Sequence, residues 1–216
     1  MFDRFTIATL QKLESEGFFQ LDSLQPLFIG KESNVFLGEG KRGVVAIKIY
    51  RLENNDFHGM YTYLVRDLRL AKVKHRKRDV ILTWVKREYS NLLRARSFRV
   101  RVPTVYAVRN NVLVMEYIEA AKLKDDIPAD PLKYYQDLCK QLKKLVKAGL
   151  VHADLSHFNI LNFEDKPVLI DFSQSTTLES PHAKEYFVRD MRIVNKFFGK
   201  LGVEDKDLKT VLDFLK

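Results

Sequence analysis

A strong alternation of apolar and other positions marks residues 44–50 (VVAIKIY). Val45, Ile47 and Ile49 share one face and Ala46, Lys48 and Tyr50 the other, which predicts a strand. Upstream, residues 27–37 (LFIGKESNVFL) read as strand, polar turn, strand, and residues 38–43 (GEGKRG) as a hairpin turn. Residues 103–107 and 112–118 read as paired strands around Arg109-Asn110-Asn111, and 160–163 and 167–170 as a hairpin around Glu164-Asp165-Lys166. Helical spacing places Phe5, Ile7, Leu10 and Leu13 on one face of a helix that Gly17 stops. It also places Trp84, Glu88, Leu92 and Ala95 on one stripe of a helix over 79–95. Residues 131–148 form a third helix, burying Tyr135, Leu138, Cys139, Leu142, Leu145 and Val146 and ending at Gly149. Ser180 or Pro181 opens a fourth with Phe187, Val194 and Phe197, and a last helix uses Leu208, Val211, Leu212 and Leu215. Between the Lys48 strand and the Glu88 helix, residues 52–82 are rich in charge and read as a long loop, with Phe57, Tyr61 and Tyr63 docking it onto the body.

Composition narrows the setting. Two hundred and sixteen residues suffice for one domain or two small lobes. A single cysteine, Cys139, excludes an internal disulfide and fits a reducing compartment. The opening MFDRFTIATLQ lacks a signal-peptide core and no apolar run approaches a membrane span, so a soluble cytoplasmic protein is expected, with no membrane partner. A net charge of +9, with the basic run at 72–78 (KVKHRKR), points to an anionic partner. Nucleotide, nucleic acid and ribonucleoprotein all qualify, and charge alone selects none. No internal repeat, low-complexity tract or Cys/His metal cluster is present in the sequence.

The chemistry concentrates at residues 150–161 (LVHADLSHFNIL), where Asp154 and Asn159 interrupt an otherwise packable segment. Val168-Leu169-Ile170 then runs into Asp171, a carboxylate that is costly at a buried strand end unless a cation or hydrogen bonds meet it. In phosphoryl transfer an H-x-D-x-x-x-x-N…D set lets one Asp orient the attacking hydroxyl while the Asn and second Asp hold Mg²⁺. The competing reading is a loop whose Asp and Asn cap turns. Lys48 inside an apolar strand needs an anion, unless that strand is a solvent-facing edge. Glu88 inside an apolar stripe needs a cation, which Lys48 or a neighbour on its own helix would supply. His152 is expected to brace the loop rather than transfer protons. The turn at Gly30-Lys31-Glu32-Ser33-Asn34 has an anion-binding composition, yet matches neither G-x-G-x-x-G nor the Walker pattern, and a surface hairpin turn fits it better.

The order of GKESNVF, VVAIKIY, WVKREYSNL, LVHADLSHFNIL and IDFSQS followed by SPHAKEYFVRD resembles the RIO family of atypical protein kinases over nearly the whole chain. It is most similar to the first RIO type, which lacks a winged-helix front domain. The resemblance implies an α+β, bilobal protein-kinase-like fold. Residues 1–118 would be a β-rich N-lobe and 119–216 a small, mainly helical C-lobe without a full peptide-binding region. It implies ATP with Mg²⁺ or Mn²⁺ between the lobes. Gly30, Lys31, Ser33, Asn34 and Val35 would form the nucleotide loop, Ala46 would line the adenine, Lys48 contact the phosphates, and Glu88 position Lys48. Met115 would back the pocket, and Glu116 to Ile118 would be the hinge. Asp154 would be the catalytic Asp, with Asn159 and Asp171 as metal ligands, and Asp190 would brace the loop. Asp67-Leu68-Arg69 falls where the family has a G-D-P-R-F-like run. An autophosphorylating serine/threonine kinase and ATPase is implied, acting in small ribosomal subunit maturation through pre-ribosomal rRNA or protein, with Asp171 also implied as a phosphate acceptor. Departures are Asp171-Phe172-Ser173 in place of D-F-G, no A-P-E triplet, and no serine in the 52–82 loop. Two alternatives stand beside this reading: a small-molecule kinase of the aminoglycoside/choline kind, and an ATP-gated, non-catalytic RNA- or ribosome-binding module.

Overall fold

The computed structural model describes residues 2–52, 57–67, 69 and 75–204. Helix α1 (Arg4–Ser15) starts where the Asp3 carboxylate accepts the Phe5 and Thr6 N–H groups, each at 3.0 Å. Leu10 and Leu13 are buried as expected, but the inner face is completed by Thr6 and Thr9, and Ile7 is 40% exposed. The threonines can face inward because each hydroxyl donates locally, Thr6 to Asp3 and Thr9 to the Phe5 carbonyl. Gly17 closes the helix in a Schellman motif at φ 81°, with Phe18 N–H on the Leu13 carbonyl at 3.1 Å.

After a 3-10 turn (Leu21–Ser23), strands β1 (Gln25–Ile29), β2 (Ser33–Gly40) and β3 (Gly43–Tyr50) run antiparallel. Helices α2 (Phe57–Val65) and α3 (Lys77–Ser97) follow, then β4 (Val105–Arg109) and β5 (Val112–Glu116). Three boundaries differ from expectation here, since β4 begins at Val105 and runs on to Arg109, and β5 ends at Glu116. The sheet order is β1-β2-β3-β5-β4, so β3 is central. Val45, Ile47 and Ile49 of β3 pack with Val112, Val114, Leu10, Leu13 and Phe19 in the core beneath the sheet. The expected loop at 52–82 is corrected in part. Phe57–Val65 is helical and buries Met60 and Leu64, and α3 begins at Lys77. Tyr63 does dock, edge-on to Trp84 with ring centres 6.1 Å apart.

The remaining elements are β6 (Ala121–Lys122), α4 (Pro131–Lys147), β7 (Leu150–Val151), β8 (Ile160–Phe163), β9 (Lys166–Leu169), β10 (Thr176–Thr177) and α5 (Ala183–Lys200). Asp130 caps α4, whose buried face adds Tyr134 and Gln141 to the expected residues and leaves Val146 half-buried. In α5 the core position is Phe198, and Phe197 is half-buried. The expected final helix at Leu208 to Leu215 lies outside the described residues. The chain forms two compact units. The first comprises Met1–Val65, Arg69–Ser90 and Thr104–Tyr117, the second Arg66–Leu68, Asn91–Pro103 and Ile118–Lys216.

Candidate active site

In the first unit, both faces of β3 are buried, so Lys48 is enclosed at 6% exposure. Its ammonium donates to Glu88 Oε1 at 2.9 Å, across 40 residues of sequence, and Glu88 is 1% exposed. The Tyr50 hydroxyl, on the same β3 face two residues on, donates to Glu88 Oε2. Both carboxylate oxygens therefore have donors, as a buried charge requires. The edge-strand alternative for Lys48 does not apply, because β3 is flanked by β2 and β5. Trp84, Leu92 and Ala95 are buried with Glu88 along α3.

Around this pair, the register sets Val35 opposite Lys48 on one side and Leu113 on the other, with Ala46 opposite Met115. The turn from Gly30 to Ser33 closes through Gly30 N–H on the Ser33 carbonyl at 3.0 Å. A Cβ on Gly30 would stand 2.8 Å from that same carbonyl oxygen, so only glycine fits. Lys31 is exposed, Ser33 is buried, and the Asn34 amide oxygen accepts from Arg51 at 2.9 Å. That bond occupies the amide oxygen and leaves the NH₂ group as the donor end, the polarity an anion needs. Arg51 is a contributor that sequence reasoning missed. Glu116 accepts from the Thr104 N–H and hydroxyl at 2.9 and 2.6 Å, and Ile118 lies two residues beyond the end of β5.

In the second unit, β7 delivers the chain into the loop carrying Asp154. Ala153 adopts φ 64° and Asp171 φ 61°, left-handed conformations that non-glycine residues hold only when their surroundings enforce them. Those surroundings are specific. His152 is buried and its Nε2 lies 3.0 Å from the Ile170 carbonyl, while Ser175 donates to the His152 carbonyl at 2.9 Å. Burial pushes the His152 ring down to about 4, against the opposing pull of that carbonyl and of Asp171, so it is neutral and Nε2–H donates. Arg189 donates to the Ala153 carbonyl. Asp190, 1% exposed, accepts from the Leu155 N–H. Burial pushes its carboxyl up to about 7, although Arg189 draws it down.

Asn159 donates its amide N–H to the Asp154 carbonyl (2.9 Å) and carboxylate (3.1 Å), leaving its amide oxygen to act as an acceptor or ligand. Ile170 N–H donates to the Asn159 carbonyl at 3.1 Å, which ties the strand end to the loop. Asp171 Oδ1 accepts from the Ser173 hydroxyl at 2.7 Å. Asn91, fully buried on α3, donates to the Phe172 and Ser175 carbonyls at 3.3 and 2.8 Å. Asn91, Ser173 and Arg189 were missed from the sequence. Asn91 sits three residues past Glu88 and Arg189 immediately before Asp190, the only signals available. Asn159 and Asp171 offer hard oxygen donors. Among the described residues no group of three or more His, Cys, Asp or Glu could hold a metal ion. Such a sparse oxygen set fits Mg²⁺ or Mn²⁺, which keep water and phosphate oxygens in their shell, and not zinc.

Comparison with known proteins places this arrangement. The RIO-domain family model matches residues 34–211. The RIO-type serine/threonine-protein kinase Rio1 of Haloferax volcanii is 38% identical, over 100% of this chain and 76% of its own. The Methanocaldococcus jannaschii Rio1 is 37% identical, over 94% of this chain and 72% of its own. Among solved structures, the Rio2 kinase–ADP/Mg²⁺–phosphoaspartate complex from Chaetomium thermophilum superposes with a TM-score of 0.69 at 24% identity. That match covers 89% of this chain and 59% of the Rio2 chain. The fold is therefore an α+β protein-kinase-like fold, and the protein is an enzyme of the atypical serine/threonine protein-kinase class. Within that class the chain belongs to the RIO family. Among the described residues no helix is long and apolar enough to cross a membrane.

Proposed function

We propose that this kinase transfers the γ-phosphoryl group of ATP in a divalent-metal-dependent reaction, with itself among its acceptors. The observation that carries the reading is the Asp154–Asn159 pairing within a loop strapped by His152, Arg189 and Asp190. Asp154 orients the acceptor hydroxyl, and Lys48, positioned by Glu88, contacts the phosphates. Gly30, Lys31, Ser33, Asn34 and Val35 cover the triphosphate. Ala46, Met115, Glu116 and Ile118 line the adenine. Asn159 and Asp171 would hold the metal, which when bound would supply positive charge against the phosphates. The RIO-domain match across the chain supports this over a small-molecule kinase.

A second reading concerns Asp171 as an acceptor, in which its carboxylate oxygen bonds to the γ-phosphorus as the bond to ADP breaks, and water later releases phosphate. Its support is a phosphoaspartate captured in the fold-related Rio2, with Ser173 holding one Asp171 oxygen here. The net charge of +9 and the lone cysteine support a cytoplasmic role on an anionic partner such as a pre-ribosomal small-subunit particle. The test is incubation with γ-labelled ATP and Mg²⁺, then Mn²⁺, followed by mapping of acid-stable and hydroxylamine-sensitive phosphate. Asp154→Ala is expected to lower turnover by about 10²–10⁴-fold with ATP binding retained. Full turnover in Asp154→Ala refutes the role assigned to Asp154.

A further inference from the structure

A cleft of about 660 Å³ opens along the start of α5, lined by Lys184, Glu185, Tyr186, Arg189 and Arg192 among others. Three of these are cations and one is an acid. The Glu185 carboxylate lies 3.2 Å from Nδ1 of His182. Tyr186 forms the floor. It is 7% exposed, its hydroxyl accepts from Arg66 at 3.1 Å, and the Arg189 guanidinium lies 5.3 Å from its ring centre. Arg189 is also the residue that donates to the Ala153 carbonyl, one position before Asp154. An anion seated here is thus connected, through one side chain, to the loop that orients the acceptor.

We propose that this cleft seats an acidic stretch of the polypeptide substrate, which makes Lys184 and Arg192 specificity-determining residues. The inference rests on the phosphotransfer reading above and names the substrate class that reading leaves open. Lys184 and Arg192 are eight helical residues apart, roughly 12 Å, or about four residues of extended peptide. Arginine forks match carboxylates in two-point contacts. Nucleic acid fits less well, since single strands bind through exposed rings on which bases stack, and the one ring of this cleft is buried and held by its hydroxyl. The preferred acceptor is therefore a serine or threonine with Asp or Glu a few positions away.

The test uses the full chain and three fluorescent probes: a serine peptide flanked by Glu and Asp, its Gln/Asn counterpart, and an oligouridylate. Anisotropy without nucleotide gives the affinities, and steady-state phosphorylation gives kcat and KM for each peptide. Lys184→Glu and Arg192→Glu alter exposed side chains, so the doubly reversed protein should fold. Expected is a loss of acidic-peptide affinity of at least about tenfold and a matching rise in its KM. The neutral peptide, kcat and peptide-free ATP hydrolysis should not change. Equal affinity for acidic and neutral peptides, or no response to the double reversal, overturns the inference. So does a reversal that weakens oligouridylate binding alone. Acidic-peptide binding that the reversal abolishes, in a wild-type protein that transfers no phosphate, upholds the cleft and sinks the phosphotransfer reading. Active transfer without acidic preference does the opposite.

Discussion

His152 and Asp190 brace the same loop, and burial favours the neutral form of both. His152 stays unprotonated in the fold down to about 4, whereas an unburied ring takes its proton at 6.5. Its contribution to stability is full above 6.5 and is lost as pH falls towards 4. Asp190 runs the other way, ionising near 3.8 when unfolded and near about 7 when folded. Its contribution is full below 3.8 and is lost as pH rises through about 7. Within the shared window the folded chain carries one proton on Asp190 and the unfolded chain one on His152, so the two slopes cancel. Urea unfolding across that window should show this pair only when one member is removed. His152→Gln should leave a stability that falls as pH rises, and Asp190→Asn one that rises. Parallel curves in all three proteins would show that the brace does not depend on neutral forms. The Lys48–Glu88 pair makes a different prediction at this scale. Lys48→Met leaves a buried carboxylate without its ammonium and should cost about 3–5 kcal/mol in urea unfolding. Lys48→Met with Glu88→Leu should recover much of that loss.

Three helices end in the same device with different residues in the left-handed position: Gly17 after α1, Arg99 after α3 and Gly202 after α5. In α3, Val100 N–H reaches the Ala95 carbonyl at 3.1 Å, as Phe18 reaches Leu13 in α1, but Arg99 holds φ 59° with a side chain attached. Arg99→Gly should therefore raise the thermal midpoint, by about 0.5–1 kcal/mol of stability. Gly17→Ala should lower it by about 1 kcal/mol or more, since the added Cβ also meets the Lys41 side chain at 2.9 Å. The comparison also explains what was legible at this level. Gly17 announces a stop in the sequence and Arg99 does not, because there the geometry is imposed by packing around Val100. The Phe57–Val65 helix escaped notice for a similar reason. Its run FHGMYTYLV contains a glycine and adjoins charge-rich sequence, and its apolar side faces Met60 and Leu64 inward only in the folded chain. Ile7 shows the converse, where apolar spacing promised burial and two locally bonded threonines took the inner face.

At the scale of the molecule, the residues carrying charge through apolar surroundings were readable from periodicity. Lys48 broke a period-two strand and Glu88 a helical stripe, and each called for a counter-charge, although for Glu88 a neighbour on its own helix was an equally readable source. The donors that fix Glu88 and the loop backbone, Tyr50 and Asn91 and Arg189, are separated from their partners by 36 to 84 positions, a distance over which sequence pattern is silent. Lys48 and Glu88 belong to the first compact unit, and Asn159 and Asp171 to the second. In the proposed function Lys48 contacts the phosphates and Asn159 and Asp171 hold the metal, so ligand binding would add to the stability of each unit. Trp84, the only tryptophan, is 1% exposed in the first unit, four residues from Glu88, so its fluorescence reports unfolding there. At a ligand concentration one hundred times Kd, ATP with Mg²⁺ should add about 2.7 kcal/mol to the stability read by Trp84. Asp171→Ala lies in the second unit and should remove most of that gain while leaving the nucleotide-free transition of the first unit in place. Asp154→Ala should keep the gain if, as proposed, Asp154 orients the acceptor and the metal is held elsewhere. A Trp84 transition that ATP and Mg²⁺ shift equally in wild type and Asp171→Ala would mean that the first unit binds nucleotide by itself. In that event Asp171 would have no part in gripping the triphosphate.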